Sequence, residues 1–402
     1  MTGTAAVSPN STASFSAGLN RVALGALVAM WACAGVSAHA EPLGATVMAV
    51  VVAAEQALAN GDTAAASAGF ERAAAMQHDG AIEMGLVRGA LQAGEYRQAL
   101  AFCAHTAGAH ADEPAAAALY AWLLRAAGQP AEARRVLDQA LARAPQHAVV
   151  EATRLAFEND VPIASGVLLA APHRMAPQAL MQGAQPALPA DARTVAAGVL
   201  LGGGRAALVP VTAIDGAHRI WVRNGLGRAT EAVPDTGAAP PLREHGVLLL
   251  HLQDSLPAGA TVLAPRDPFA GSPGFVIGYP PAADSVPAWP TLREGFLGAA
   301  DGREGLRKLG IEWPSALHGG PVFDAAGRLA GVSLRGAANG ATASGPQGAS
   351  MLPVSMFRAL AQASSGLPGK PPADAAALLG RIAADAAYEQ ALTVALQVIV
   401  QR

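Results

Sequence analysis

Three copies of one sequence pattern constrain the first part of this 402-residue chain to a helical repeat. The copies read NGDTAAASAGFERAAAMQHD, AGEYRQALAFCAHTAGAHAD and AGQPAEARRVLDQALARAPQ. Their glycines, 33 and 34 residues apart, permit a tight reversal between two helices, and small alanines let the two helices approach closely. The aligned positions are Gly61, Gly94 and Gly128, then Ala66, Ala99 and Ala133, then Phe70, Cys103 and Leu137, and finally Ala73, Thr106 and Ala140.

This spacing resembles the tetratricopeptide repeat, and the third copy adds the closing proline of that family at Pro145. The resemblance covers about residues 47–147, and VVEATRLAFEN follows as a capping helix. It implies an all-α solenoid over residues 44–160 whose concave groove binds a peptide or a partner helix. The alternative is that the repeats only hold two domains together or dimerise the chain. The pattern is weaker in the second copy, where Thr106 replaces the usual alanine.

Residues 1–40 read as a secretory signal peptide. Arg21 precedes an apolar run, and the small residues of SAHA end it, so we expect cleavage after Ala40. A retained signal anchor is the alternative, although the run is too short to favour a permanent span. Export would place the protein in the periplasm or cell envelope. Cleavage would remove Cys33 and leave Cys103 as a free thiol, most simply a small core residue.

Charge and composition exclude some partners. Only 14% of the residues are charged and the net charge is −3, so there is no basic surface to bind nucleic acid. The sequence has no cluster of cysteine and histidine with the spacing of a zinc site. We therefore expect no metal and no cofactor.

A proline-rich stretch separates the repeats from the C-terminal half of the chain. Residues 161–192 contain prolines at positions 162, 172, 177, 186 and 189, which forbids a long helix and predicts an extended linker. Beyond the linker, short apolar runs alternate with glycine, proline and aspartate. Runs of this length with turn residues between them indicate an antiparallel all-β sandwich or barrel.

Four segments of this β-rich region resemble, in order and spacing, the chymotrypsin-fold serine proteases of the bacterial Deg type. They read AAGVLLGGGRAALVPVTAIDGAHRIWV, GVLLLHLQDSLP, GSPGFVIGYP and HGGPVFDAAGRLAGVSL, the last followed by MLPVSMFRAL. The match spans about residues 194–363. It implies a trypsin-like double β-barrel over residues 193–365.

The resemblance also shows which catalytic side chains are missing. It places the catalytic histidine of the family at Thr212, the aspartate at Gly246 and the nucleophile at His318. A glycine that shapes the oxyanion hole is replaced by Ala316. Threonine cannot act as a base at neutral pH and glycine has no side chain, although Gly319, Gly320 and Pro321 are retained. We therefore predict a pseudoprotease without catalytic residues.

An unfamiliar active site is the alternative. His218, His245, His251 and His318 lie in the same region, Ser315 lies three residues before His318, and Asp301 or Glu312 could supply a carboxylate. No spacing rule ties these groups together, so solvent-facing or packed histidines in a vacant cleft are the simpler interpretation. The rival functions are a hydrolase with a relocated or metal-assisted site, and a structural subunit of an envelope assembly.

The last segment, residues 371–402, is predicted to be a C-terminal helix. Asp374 can cap it, and its apolar residues recur at roughly helical spacing but over too short a stretch to span a bilayer. We expect it to pack either on the repeats or on a second copy of the chain. The second alternative would make the protein a homo-oligomer. The whole sequence predicts an exported, non-catalytic scaffold, adaptor or regulator that binds proteins, peptides or unfolded segments. The apolar positions are Leu378, Leu379, Ile382, Leu392, Leu396 and Ile399.

Overall fold

The computed structural model describes residues 44–159, 188–235, 237, 240–259, 261–301, 305–312, 317–335, 349–365 and 380–402. These residues all belong to one compact unit. The predicted signal peptide, most of the predicted linker, Ser315 and Ala316 lie outside the described residues. In the part of the chain that is described, no helix has the length and apolar character needed to cross a membrane.

Seven consecutive helices occupy residues 44–159. Aspartates begin two of them: Asp62 accepts a hydrogen bond from the Ala65 amide at 3.0 Å, and Asp79 accepts one from the Ala81 amide at 2.9 Å. Proline stands at the start of two others, where its missing amide hydrogen costs nothing. The helices are α1 Ala45–Ala59, α2 Thr63–Met76, α3 Gly80–Ala93, α4 Tyr96–Ala109, α5 Pro114–Ala126, α6 Pro130–Arg143 and α7 Ala148–Glu158.

The sequence repeat corresponds to three helix pairs, α1–α2, α3–α4 and α5–α6, with α7 packed against the last pair. Its glycines, Gly61, Gly94 and Gly128, lie between the two helices of each pair and have φ angles of 79°, 82° and 80°. Every other aligned position is buried. The sequence pattern therefore marks the turns and the core of a helical N-terminal region, as predicted.

Cys103 is fully buried on α4, and burial raises the pKa of its thiol. We expect this thiol to react with Ellman's reagent at least ~10³-fold more slowly in the native protein than in guanidinium chloride, because reaction requires opening of the core. The measurement uses a Cys33→Ser variant, in which Cys103 is the only remaining thiol. Rapid native reaction of one thiol per chain would contradict this packing.

Two closed, six-stranded antiparallel β-barrels come after the helices, which confirms the predicted chymotrypsin-like double barrel. The first has the strand order β1-β12-β3-β4-β5-β2 and the second β10-β11-β8-β7-β6-β9. The strands are β1 Arg193–Leu200, β2 Ala206–Pro210, β3 Arg219–Asn224, β4 Ala229–Pro234, β5 Val247–Leu252, β6 Ser272–Gly278, β7 Thr291–Ala300, β8 Arg307–Gly310, β9 Pro321–Asp324, β10 Leu329–Leu334, β11 Ser350–Pro353 and β12 Ala395–Gln401. The remaining helices are α8 Val211–Ile214, α9 Pro240–Glu244, a 3₁₀ turn Val354–Met356, α10 Arg358–Ser365 and α11 Ala384–Ala391.

The C-terminal segment is only partly helical. A C-terminal helix is confirmed as α11, but its predicted continuation to residue 402 is wrong, because Ala395–Gln401 forms β12 between β1 and β3. The stretch is rich in β-branched residues, and Leu396, Val398 and Val400, two residues apart, all pack in the interior of the first barrel. The final strand therefore closes this barrel.

Helix α11 packs on the repeat helix α4. Packing on the repeats was one of the two alternatives that the sequence left open for this segment. The rings of Tyr96 and Tyr388 lie 4.6 Å apart between centroids, and the Tyr388 hydroxyl donates to the Pro290 carbonyl at 2.7 Å. At the edge of this contact Arg97 pairs with Glu389 at 3.0 Å. Residues of the helical region and of the barrels belong to one apolar cluster, so the two parts share a core.

Candidate functional site

A cleft of about 460 Å³ lies between the two barrels. One wall comes from the start of β1, from α8 and from the residue after β12, all in the first barrel. The other comes from the β6–β7 connection, the loop before β9 and the residue after β10. The described residues of the lining are Arg193, Thr194, Val195, Thr212, Ala213, Pro281, Ala282, Ala283, His318, Arg335 and Arg402.

Thr212 and Gly246, where the resemblance places the catalytic histidine and aspartate, are neighbours. Strand β2 pairs with β5, so α8, which follows β2, lies beside the residue that precedes β5. The Val211 amide donates to the Gly246 carbonyl at 2.9 Å. Thr212 is exposed in the cleft, and a methyl group placed on Gly246 would have no atom within 4 Å. Position 246, being glycine, therefore supplies no side chain that could orient a group at position 212.

His318 is buried, and its backbone connects the two barrels. Its carbonyl accepts a hydrogen bond from the Ala197 amide of β1 at 2.9 Å, and the next amide, that of Gly319, donates to the Ser333 carbonyl of β10 at 2.8 Å. Gly319 has a φ of 89°, and a Cβ atom there would lie 2.0 Å from the Ala197 carbonyl oxygen. Only glycine fits this contact between the barrels.

The four histidines noted in the sequence are not brought together in the cleft. Among the described lining residues, His318 is the one imidazole. His251 lies on β5, with its Nε2 atom 3.4 Å from an Asp235 oxygen, and the His218 amide donates to the Gln401 carbonyl at 2.8 Å. His245 also lies outside the lining.

The carboxylates considered as partners for a relocated site have other positions. Asp301 accepts a hydrogen bond from the Ser350 hydroxyl at 2.9 Å, which fixes the start of β11. Glu312 is exposed and does not line the cleft.

Three arginines of the lining were not recognised in the sequence. Arg193 begins β1, Arg402 follows β12 and Arg335 follows β10. Because β1 and β12 are antiparallel, with Arg193 opposite Val400, Arg193 and Arg402 lie at the same end of the first barrel. The guanidinium of Arg402 donates to the Ala213 carbonyl at 3.2 Å, which holds it beside α8. The position of Arg402 beside the cleft could not be predicted, because the apolar spacing of the last segment predicts a helix and not a strand of the first barrel.

These arginines give the cleft a positive wall. Guanidinium groups stay protonated in proteins, and no aspartate or glutamate is present among the lining residues that the structure describes. The hydroxyl of Thr194, in the same lining, is buried and forms no hydrogen bond within the described part of the chain. An arrangement of this kind favours carboxylate or other anionic groups, which guanidinium binds with two parallel hydrogen bonds.

Comparisons with known proteins return structures and no sequence relatives. No protein-family model and no curated protein matches the sequence. The protease domain of MamO from Magnetospirillum magneticum is 20% identical over 43% of this chain and 96% of that chain, with a TM-score of 0.33. The HtrA-type protease AlgW with a decapeptide is 20% identical over 42% of this chain and 51% of that chain, with a TM-score of 0.34. A serine endoprotease from Yersinia pestis is 19% identical over 45% of this chain and 60% of that chain, with a TM-score of 0.35.

This chain therefore spans about half of AlgW and three fifths of the Yersinia pestis protease. The three similar structures are described as proteases or protease domains. The double-barrel fold of this chain is visible independently in its own strand order.

Proposed function

We propose that this chain is an exported protein-binding scaffold, adaptor or regulator that holds a partner segment in the cleft between its barrels without cleaving it. The observation that carries the proposal is the composition of the cleft. It combines His318 and Thr212 with three arginines, and its described lining residues include no aspartate or glutamate.

Peptide hydrolysis in a site of this kind needs a nucleophile, a base that accepts its proton and a group that orients the base. A histidine that accepts a proton becomes positively charged, and a carboxylate normally stabilises that charge. The described cleft lining holds three guanidinium groups together with His318 and contains no aspartate or glutamate. This composition favours retention of an anionic ligand.

The ligand we propose is an extended protein segment that presents carboxylate groups. Retention of an extended segment does not need a nucleophile, so a cleft without a triad can still bind one. Arg193 and Arg402, at adjacent strand ends, can contact side-chain carboxylates on the segment.

Cleavage is tested with an unfolded protein. We expect the purified chain to produce no new amino termini in β-casein, with or without added zinc, and we expect the His318→Ala variant to behave identically. Cleavage by the wild-type chain that is absent in His318→Ala would overturn the proposal and make His318 part of an active site.

Binding is tested with a fluorescein-labelled peptide of alternating glutamate and serine, followed by fluorescence anisotropy. A charge-assisted hydrogen bond contributes about 1.5–3 kcal/mol, so we expect Arg402→Ala to weaken binding at least about tenfold. Binding should also fall as salt rises.

Two controls accompany the binding measurement. Arg134→Ala removes an exposed arginine of α6, outside the cleft, and should leave affinity unchanged. The same peptide with lysine in place of glutamate should bind at least tenfold more weakly. Equal affinity for both peptides, or equal losses in Arg402→Ala and Arg134→Ala, would contradict carboxylate recognition in the cleft.

A further inference from the structure

Two histidines and one glutamate of the helical region bring nitrogen and oxygen atoms that can bind a metal close together. None of the three residues belongs to the cleft lining. His78 lies in the α2–α3 connection, Glu83 near the start of α3 and His105 in the second half of α4. His78 Nδ1 is 3.1 Å from Glu83 Oε1, and His105 Nε2 is 3.5 Å from the same oxygen. One ligand atom from each residue lies within 4.8 Å of the other two.

The two distances to Glu83 Oε1 match those between neighbouring ligands of a tetrahedral metal site. Zinc binds imidazole nitrogen and carboxylate oxygen at about 2.0–2.1 Å, so neighbouring ligand atoms in a tetrahedron lie about 3.3–3.4 Å apart. The separations of 3.1 and 3.5 Å therefore need little rearrangement to surround an ion. Two histidines and one glutamate also form a donor set that zinc adopts with a fourth position open to water.

A buried hydroxyl orients the glutamate. Glu83 is 7% exposed, and Thr106 Oγ1, itself fully buried, lies 2.9 Å from both Glu83 Oε2 and the Phe102 carbonyl oxygen, so its one proton is shared between these two acceptors. Its hydrogen bond to Oε2 fixes one carboxylate oxygen and leaves Oε1 directed at the histidines, as outer partners of metal ligands do. The first and third repeat copies have alanine at the position of Thr106, so this support is specific to the second copy.

A third histidine points at the same oxygen. His110, at the end of α4, is 6% exposed, and its Nε2 atom lies 3.4 Å from Glu83 Oε1. This nitrogen is buried and forms no hydrogen bond with the described residues. Buried polar atoms rarely lack a hydrogen bond, so a nitrogen that has an ion-pair contact with a buried carboxylate but no hydrogen bond favours an ion bound beside the two groups.

Two of the three proposed ligands are reachable from solvent. His78 and His105 remain partly exposed, with exposed side-chain fractions of 36% and 48%, so an ion can enter from solvent.

We propose that His78, Glu83 and His105 bind one divalent ion of the zinc class, with His110 beside the fourth coordination position. The site joins the α2–α3 connection to α4 and so links the first repeat to the second. It is independent of the proposed partner binding in the cleft. The sequence did not reveal it because the ligands come from two helices and a loop with no recognised motif spacing.

The test is equilibrium dialysis of the purified full chain against buffered Zn²⁺, with the visible absorption of bound Co²⁺ as a second readout of tetrahedral coordination. We expect the wild-type chain to retain one ion. Glu83→Gln and His105→Ala should weaken the affinity more than tenfold, and Thr106→Val, which removes the orienting hydroxyl, about 10- to 100-fold.

His251→Ala is the matched control, because His251 is also an exposed histidine near a carboxylate, Asp235. It should bind zinc as the wild type does. Circular dichroism checks that each variant is folded. If His105→Ala does not fold, His105→Gln replaces it, since the side chain is half-exposed and tolerates a polar substitute. Wild-type affinity in a folded His105 variant, or no zinc retained by the wild-type chain, would overturn the proposal.

Discussion

Val398→Asp is expected to unfold the first barrel. Val398 is fully buried on β12 and packs inside that barrel. The substitution removes about 1.5–3 kcal/mol of apolar burial and adds several kcal/mol for burying an unpaired carboxylate. The total, roughly 5 kcal/mol or more, equals a large part of the stability of a typical domain. We expect little soluble protein, and for any that is recovered a urea unfolding midpoint far below that of the wild type.

Val233→Asp is the control for this measurement. It makes the same chemical change on β4 of the same barrel, at a side chain that is 59% exposed. We expect a change of less than about 1 kcal/mol in its free energy of unfolding. Similar urea midpoints for the two variants would show that the final strand does not close the barrel.

The last segment was predicted to be a helix because its apolar residues fit two periodicities at once. Leu392, Leu396 and Ile399 satisfy a helical spacing, while Leu396, Val398 and Val400 satisfy the two-residue period of a strand. Local pattern could not decide between them. The deciding contacts are non-local, because β12 pairs with β1 and β3, which lie far earlier in the chain, with Val400 opposite Arg193 and Leu396 opposite Asn224.

The helical repeats were predictable for the opposite reason. A turn glycine, a small alanine and a large apolar residue recur within each copy, and the helices that they specify pack on their chain neighbours. The departure from this pattern at Thr106 looked like a weak repeat in the sequence. In the structure its hydroxyl binds Glu83, so the exception identifies the residue that supports the proposed metal site.

The cleft was only half predictable. Family resemblance located Thr212 and His318, and the structure places both in one lining. The arginines could not be found in this way, since one begins a strand and two directly follow strands, at three separate points of the chain. Their proximity exists only after both barrels have closed, and a single arginine in the sequence carries no sign of it.

Gly319→Ala is expected to reduce the free energy of unfolding through both backbone strain and steric overlap. Gly246→Ala introduces the strain without the overlap and so separates the two contributions. Both glycines have positive φ angles, 89° and 82°, where an alanine costs about 1–2 kcal/mol. At Gly246 no atom lies within 4 Å of an added Cβ, so strain alone applies.

At Gly319 the added Cβ would lie 2.0 Å from the Ala197 carbonyl oxygen and 2.6 Å or less from the Pro210 ring. Backbone and proline atoms cannot rotate away, so relief requires the barrels to separate locally, and we expect a total loss of about 3–5 kcal/mol. Urea unfolding of both variants measures the difference. Equal losses would mean that the barrels do not press together at this point. A larger loss at Gly319 would show that the backbone after His318 is fixed by the contact between the barrels, which forms the cleft whether or not any catalytic side chain is present.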